Sequence, residues 1–193
     1  MVKNIGLPGH IKKENNMYRS YKEFNGYSTA FRQWRADSHC KFIHGYALRF
    51  KVWFDGELDD RNWVVDFGCF KRNGVKDWFK NMFDHTTCIA KDDPEIKSFH
   101  EMEEKGLIQL RVMEDVGCEK FAEYVFKYLN EKIKEETNGR VKVHKVQCWE
   151  HVENMAEYYE KHSEHVRLSD VAEITSIPKG VITKSENYKP SNL

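Results

Sequence analysis

The stretch Ala47-Leu48-Arg49-Phe50-Lys51-Val52-Trp53-Phe54 alternates apolar with basic side chains over its middle. A period of two places Leu48, Phe50, Val52 and Phe54 on one face, as in a half-buried strand. Upstream, residues 27–34 are aromatic-rich and short, and a polar loop follows through Asp37. The simplest reading is a pair of antiparallel strands joined across the loop that carries Cys40.

The helical signals lie further on. Asp55-Gly56 and Asp59-Asp60 mark a turn, after which Trp63-Val64-Val65-Asp66-Phe67 leads into a segment where Phe70, Val75, Trp78, Phe79 and Met82 recur at roughly helical spacing. Gly74 weakens that helix by about 1 kcal/mol relative to alanine. Residues 94–105 read as a short charged helix closed by Gly106, and residues 107–113 as a strand. Residues 118–135 form a strong helix with Phe121, Val125, Tyr128, Leu129 and Ile133 on one face. Asn138-Gly139 then turns the chain into a last strand, residues 141–149, that ends on Glu150. Helices inserted between antiparallel strands place the chain in the α+β class. At 193 residues it is read as one domain, 24–159, with an arm, 1–23, and a polar tail, 160–193.

Composition removes several function classes. Lys and Arg number 31 and Asp and Glu 31, with no basic stripe interleaved with aromatics, so nucleic acid is not the expected partner. No apolar run approaches the roughly 20 residues of a membrane span, and the first 20 residues lack a signal-peptide core, so a soluble, cytoplasmic protein is expected. Cys40, Cys69, Cys88, Cys118 and Cys148 are odd in number and irregularly spaced, which fits reduced thiols rather than a disulfide framework or a zinc module.

Two short segments carry chemistry. In Ser38-His39-Cys40-Lys41-Phe42-Ile43-His44-Gly45-Tyr46 a potential nucleophile or base stands four residues ahead of a potential ligand. In Asp84-His85 a carboxylate adjoins an imidazole, which can fix its tautomer and raise its basicity. Together they supply a base, a relay and an orienter. The plainer alternatives are a buried inert thiol for Cys40, a loop-tightening Asp84 and a solvated His85.

Read in order, Tyr27-Ser28-Thr29-Ala30-Phe31, Cys40-x-x-x-His44-Gly45-Tyr46, Trp63-Val64-Val65-Asp66-Phe67, Asp84-His85, Gly117-Cys118-Glu119 and Glu150 resemble the family of 6-pyruvoyl-tetrahydropterin and 6-carboxy-tetrahydropterin synthases over residues 24–159. The resemblance implies the tunnelling fold, a four-stranded antiparallel sheet carrying two long helices. Three such subunits close a barrel, two trimers stack into a homohexamer, and active sites lie between subunits. It implies dihydroneopterin triphosphate as substrate, loss of triphosphate, and in the carboxy branch loss of acetaldehyde on the way to 7-deazaguanine (queuosine) products. Cys40 falls on the catalytic base, Asp84 and His85 on its relay and Glu150 on the pterin anchor. A carboxylate there can accept two N–H bonds from the guanidine-like edge of the ring. Glu119 falls on an acidic residue opening the second long helix, where the helix dipole also favours it.

The resemblance also implies zinc held by three histidines, and here the sequence departs from it: the matching positions read Phe31, His44 and Tyr46. Phenylalanine cannot ligate, and His44 alone makes a weak site. His39, Cys40 and His44 could hold a metal differently, at the cost of occupying the base. Alternatively Tyr46 could bind a substrate hydroxyl, with Arg32 or Arg35 on phosphate or a developing oxyanion. The leading expectation is a pterin lyase. A noncatalytic pterin- or purine-binding protein, or a metal-independent variant acting on another pterin, stands beside it.

Overall fold

The computed structural model describes residues 16–161. In chain order its elements are β1 (Tyr18–Phe31), a 3-10 turn (His39–Lys41), β2 (His44–Gly56), α1 (Cys69–Arg72), α2 (Val75–Phe83), β3 (Thr86–Ala90), α3 (Ile96–Glu104), β4 (Leu110–Met113), α4 (Cys118–Thr137), β5 (Val141–Trp149) and β6 (Met155–Tyr158). The strands form one sheet in the order β4-β3-β1-β2-β5-β6.

The alternation of β2 does what its period dictates. Leu48, Phe50, Val52 and Phe54 are fully buried, while Arg49, Lys51 and Trp53 keep the other face. On α4, Phe121, Val125, Leu129 and Ile133 recur every four residues and are likewise fully buried, so helix and sheet seal a common core. Between them lies an aromatic layer in which Phe24 stacks on Phe79 at 4.2 Å and Trp78 on Tyr128 at 3.8 Å. Aromatic pairs of this kind add about 1 kcal/mol each beyond their buried area.

The sheet corrects the four-stranded expectation. β1, β2, β5 and β6 are antiparallel, as expected, but β3 runs parallel to β1 beside residues 29–31 and β4 runs parallel to β3, giving a mixed six-stranded sheet. Of the two long helices expected, α4 is one. The other is broken into α1 and α2 at Gly74, whose φ of 79° is left-handed. β1 reaches back to Tyr18, into the stretch read as an arm, and a bulge beside Gly26 (φ 83°) shifts its register. The expected strand at 107–113 forms only from Leu110. All five cysteines are free, and only Cys40 is more than slightly exposed. No helix among the described residues is long and apolar enough to cross a membrane. The expected arm lies outside the described residues up to position 15, and the expected tail lies outside them from position 162.

Candidate active site

At the C-terminal end of β1 the chain turns back on itself through the 3-10 turn. The Gln33 backbone N–H donates to the Cys40 carbonyl at 2.9 Å, and the Cys40 N–H donates to the Ser38 hydroxyl at 3.3 Å. These bonds hold Cys40 over the end of the sheet. Its four fellow thiols are buried. Burial pushes the Cys69 thiol up to about 11 and the Cys88 thiol up to about 12, which keeps both protonated and inert.

Three rings meet beneath Cys40. Phe31 and His44 face each other across the β1–β2 pairing with ring centroids 4.8 Å apart, His44 and Tyr46 are 5.5 Å apart, and Phe31 and Tyr46 6.1 Å. Gly45 between them is required by space, since a Cβ there would lie 2.8 Å from the Thr29 carbonyl oxygen. His44 Nδ1 lies 2.8 Å from the Phe42 carbonyl, a contact that requires its proton on Nδ1 and leaves Nε2 as the acceptor. Phe31 is fully buried, edge-on to Phe121 at 5.2 Å, and belongs to the core.

Glu150, at the end of β5, and Cys118, at the start of α4, come to the same place. Burial first, then the nearby charges of Glu150, Cys40 and Cys118, hold the Tyr46 phenol above its ordinary value. It therefore remains a proton-bearing donor at neutral pH. Burial and a hydrogen bond with Cys118 likewise push the Cys148 thiol up, and Glu150 and Glu119 contribute. The His151 ring closes the far side, 6.1 Å from Tyr46. Glu119 stands in the first turn of α4 on the wall of an adjoining cavity of about 410 Å³ shared with Gln33, Arg35 and Lys120. Gln33, Cys118 and His151 were not singled out as site residues in the sequence. The only signal for the last was its place beside Glu150.

Asp84 and His85 pair as expected, with His85 Nδ1 2.9 Å from Asp84 Oδ1, but they do not reach Cys40. Asp84 accepts from the Ser28 N–H at 3.5 Å, and β3 starts alongside Thr29. Cys40 is bonded at Gln33, five residues further along the strand direction, which is about 16 Å. His85 is left-handed (φ 56°) and its side chain is 77% exposed. It shares an open cavity of about 360 Å³ with Asp84, Asp77, Lys80, Asn81 and Gln109.

The two arginines proposed for phosphate or oxyanion are engaged elsewhere. Arg32 makes a two-pronged ion pair with Asp93 at 2.7 and 2.5 Å, and Arg35 pairs with Asp92 and lies 3.7 Å from Asp115. A cavity of about 500 Å³ at the other end of β1, between Tyr18, Leu58, Trp63 and Phe67, is apolar. Its one carboxylate, Asp66, is held by Arg72 and the Gly68 N–H.

A family model for 6-pyruvoyl tetrahydropterin synthase matches residues 20–161. The chain belongs to that family. A provisionally named 6-carboxy-5,6,7,8-tetrahydropterin synthase of Pyrococcus horikoshii is 29% identical over 141 residues, 70% of this chain and 85% of the relative. Among solved structures, an uncharacterized protein of Wolinella succinogenes superposes with a TM-score of 0.65 at 21% identity, covering 76% of this chain and 99% of that one. The 6-pyruvoyl tetrahydropterin synthase of Plasmodium falciparum superposes with a TM-score of 0.54 at 15% identity, covering 76% and 99%. These likenesses establish the fold.

The zinc implied by the family does not fit the residues present. Three imidazoles around a tetrahedral zinc stand about 5 Å apart, so the three rings are spaced for such a site. Two of them, however, are a hydrocarbon and a phenol that keeps its proton. Among the described residues no three His, Cys, Asp or Glu side chains are gathered to hold a metal, which also sets aside His39, Cys40 and His44 as a substitute set.

Proposed function

We propose that the protein is a lyase acting on dihydroneopterin triphosphate, of the 6-carboxy- or 6-pyruvoyl-tetrahydropterin synthase type. The observation that carries this reading is that Tyr46, at the end of the sheet, stands within electrostatic reach of both Cys40 and Glu150 and 6.1 Å from the ring of His151. Glu150 accepts two N–H bonds from the pterin edge, a charge-assisted contact that fixes the ring. Cys40, as thiolate, removes a proton from the side-chain carbon next to the ring, and the electron pair left behind conjugates with the ring C=N bond. Asp84 and His85 serve as the relay for a Cys40 in a neighbouring copy, a role supported by the exposure of His85 and by the distance of the pair from Cys40 within one chain. That arrangement requires a homo-oligomer, with a trimer or hexamer as the expected assembly.

Incubation of purified protein with dihydroneopterin triphosphate, followed by mass spectrometry, tests this directly. Triphosphate with either 6-carboxy-tetrahydropterin and acetaldehyde or 6-pyruvoyl-tetrahydropterin is expected, and Cys40→Ala should abolish product while leaving the circular dichroism spectrum unchanged. Unchanged turnover in Cys40→Ala would refute the assignment. A pterin-binding protein without turnover is the second reading, favoured by the hydrocarbon at Phe31. It predicts bound pterin and no product.

A further inference from the structure

The ring cluster at the end of β1 and β2 poses a chemical question. Position 31 carries a hydrocarbon packed into the core, position 44 an imidazole whose Nδ1 faces a backbone carbonyl, and position 46 a phenol. Of the three, only Tyr46 carries an O–H, and its ring stands 6.1 Å from that of His151, the chain neighbour of Glu150. We propose, resting on the pterin reading above, that the Tyr46 hydroxyl takes the place of the metal and donates a hydrogen bond to a side-chain oxygen of the substrate.

The chemistry is consistent with its neighbours. When Cys40 takes a proton from the carbon beside the ring, the electron pair passes into the ring C=N bond and leaves an enol, whose oxygen gains negative charge as its own proton passes to a base on the way to the ketone. A donor already aimed at that oxygen stabilises the charge without reorganising. Tyr46 is suited to this because its ring is held on several sides, by Phe31, His44 and His151, and because burial, with the nearby negative charge, keeps its own proton in place. His44, with its free Nε2, can accept from a second substrate hydroxyl. The three positions thus keep the spacing of a metal site while offering one donor and one acceptor.

Two measurements test the proposal independently of turnover. In zinc titrations of the full chain against a chelating dye, wild type should take up no stoichiometric zinc. The double variant F31H/Y46H should take up one ion per chain, with circular dichroism confirming that it is folded. Stoichiometric zinc in wild type that is lost in H44A would overturn the proposal, whether or not the double variant folds. In fluorescence titrations, Tyr46→Phe should weaken dihydroneopterin binding by up to about tenfold. It should leave binding of pterin lacking the side chain unchanged. Equal affinities of Tyr46→Phe and wild type for dihydroneopterin would also overturn it. If the wild-type protein turns over, Tyr46→Phe should lose about 10²- to 10³-fold in rate, unaffected by chelator. Absence of turnover in wild type would defeat the lyase reading while leaving both binding tests decisive for Tyr46.

Discussion

At the scale of single residues, the site depends on which charges are confined and which are free. Glu150 is half-buried at a strand end, and its proposed bidentate contact makes a sharp prediction. Glu150→Gln should weaken pterin binding by about 10- to 100-fold in a fluorescence titration, because one of two charge-assisted bonds is replaced by a donor facing a donor. Glu119→Gln, at an exposed position on a helix end, should change affinity far less. Asp93 is a different kind of carboxylate. It is buried, which opposes its charge, but the Arg32 guanidinium and the Glu95 N–H outweigh that cost and hold it below the usual range. A depressed native pKa stabilises the fold above the unfolded value and is lost as pH falls through the native one. Asp93→Asn should therefore cost about 3 kcal/mol at pH 7 in urea denaturation, since it strands Arg32. The gap between variant and wild type should close as pH falls below about 4.

At the scale of elements, Gly74 shows how a correct propensity yields the wrong sign. As an interior helix residue it should be improved by alanine, but it sits at the break between α1 and α2 with φ 79° and open space around it. Gly74→Ala should therefore lower stability by about 1 kcal/mol in chemical denaturation rather than raise it. The elements legible in the sequence were those with one buried face: β2, α4 and, on either side of a break at His144 and Lys145, β5 bury one face and leave the other at least partly exposed. β3 escaped notice because Thr86, Thr87, Cys88, Ile89 and Ala90 are all buried, so nothing alternates. β6 is four residues with two exposed side chains, and the first half of β1 is separated from the second by the bulge at Gly26. The site follows the same logic. Cys40, His44 and Tyr46 can be singled out because they are neighbours in sequence, and Glu150 only through the family resemblance. Gln33, Cys118 and His151 join them only through strand pairing and helix docking, and no local pattern encodes that meeting. The Asp84-His85 pair is legible as a pair, while its distance from Cys40 is a property of the β1–β3 register.

For the whole molecule, the separation of Cys40 from His85 sets a test of shared sites. Cys40→Ala and His85→Ala should each be inactive alone. When unfolded together and refolded as a mixture, they should regain about a quarter of wild-type turnover if each site draws one residue from each of two copies. No recovery would place both residues in one chain's site. The sheet itself adds a consequence for handling the protein. Among the described residues β3 covers β1 only beside residues 29–31, so no described strand pairs with the rest of that flank of the 14-residue strand, and β6 ends the sheet on the other side. Apart from the Ser28 N–H, which donates to Asp84, each such flank is a row of backbone groups with no described strand partner, the kind of edge an extended peptide can dock against. A newly made chain therefore races between finding its own kind and being caught by strangers. Its yield on refolding should pass through an optimum in concentration, poor when too dilute for encounters and poor again when crowded.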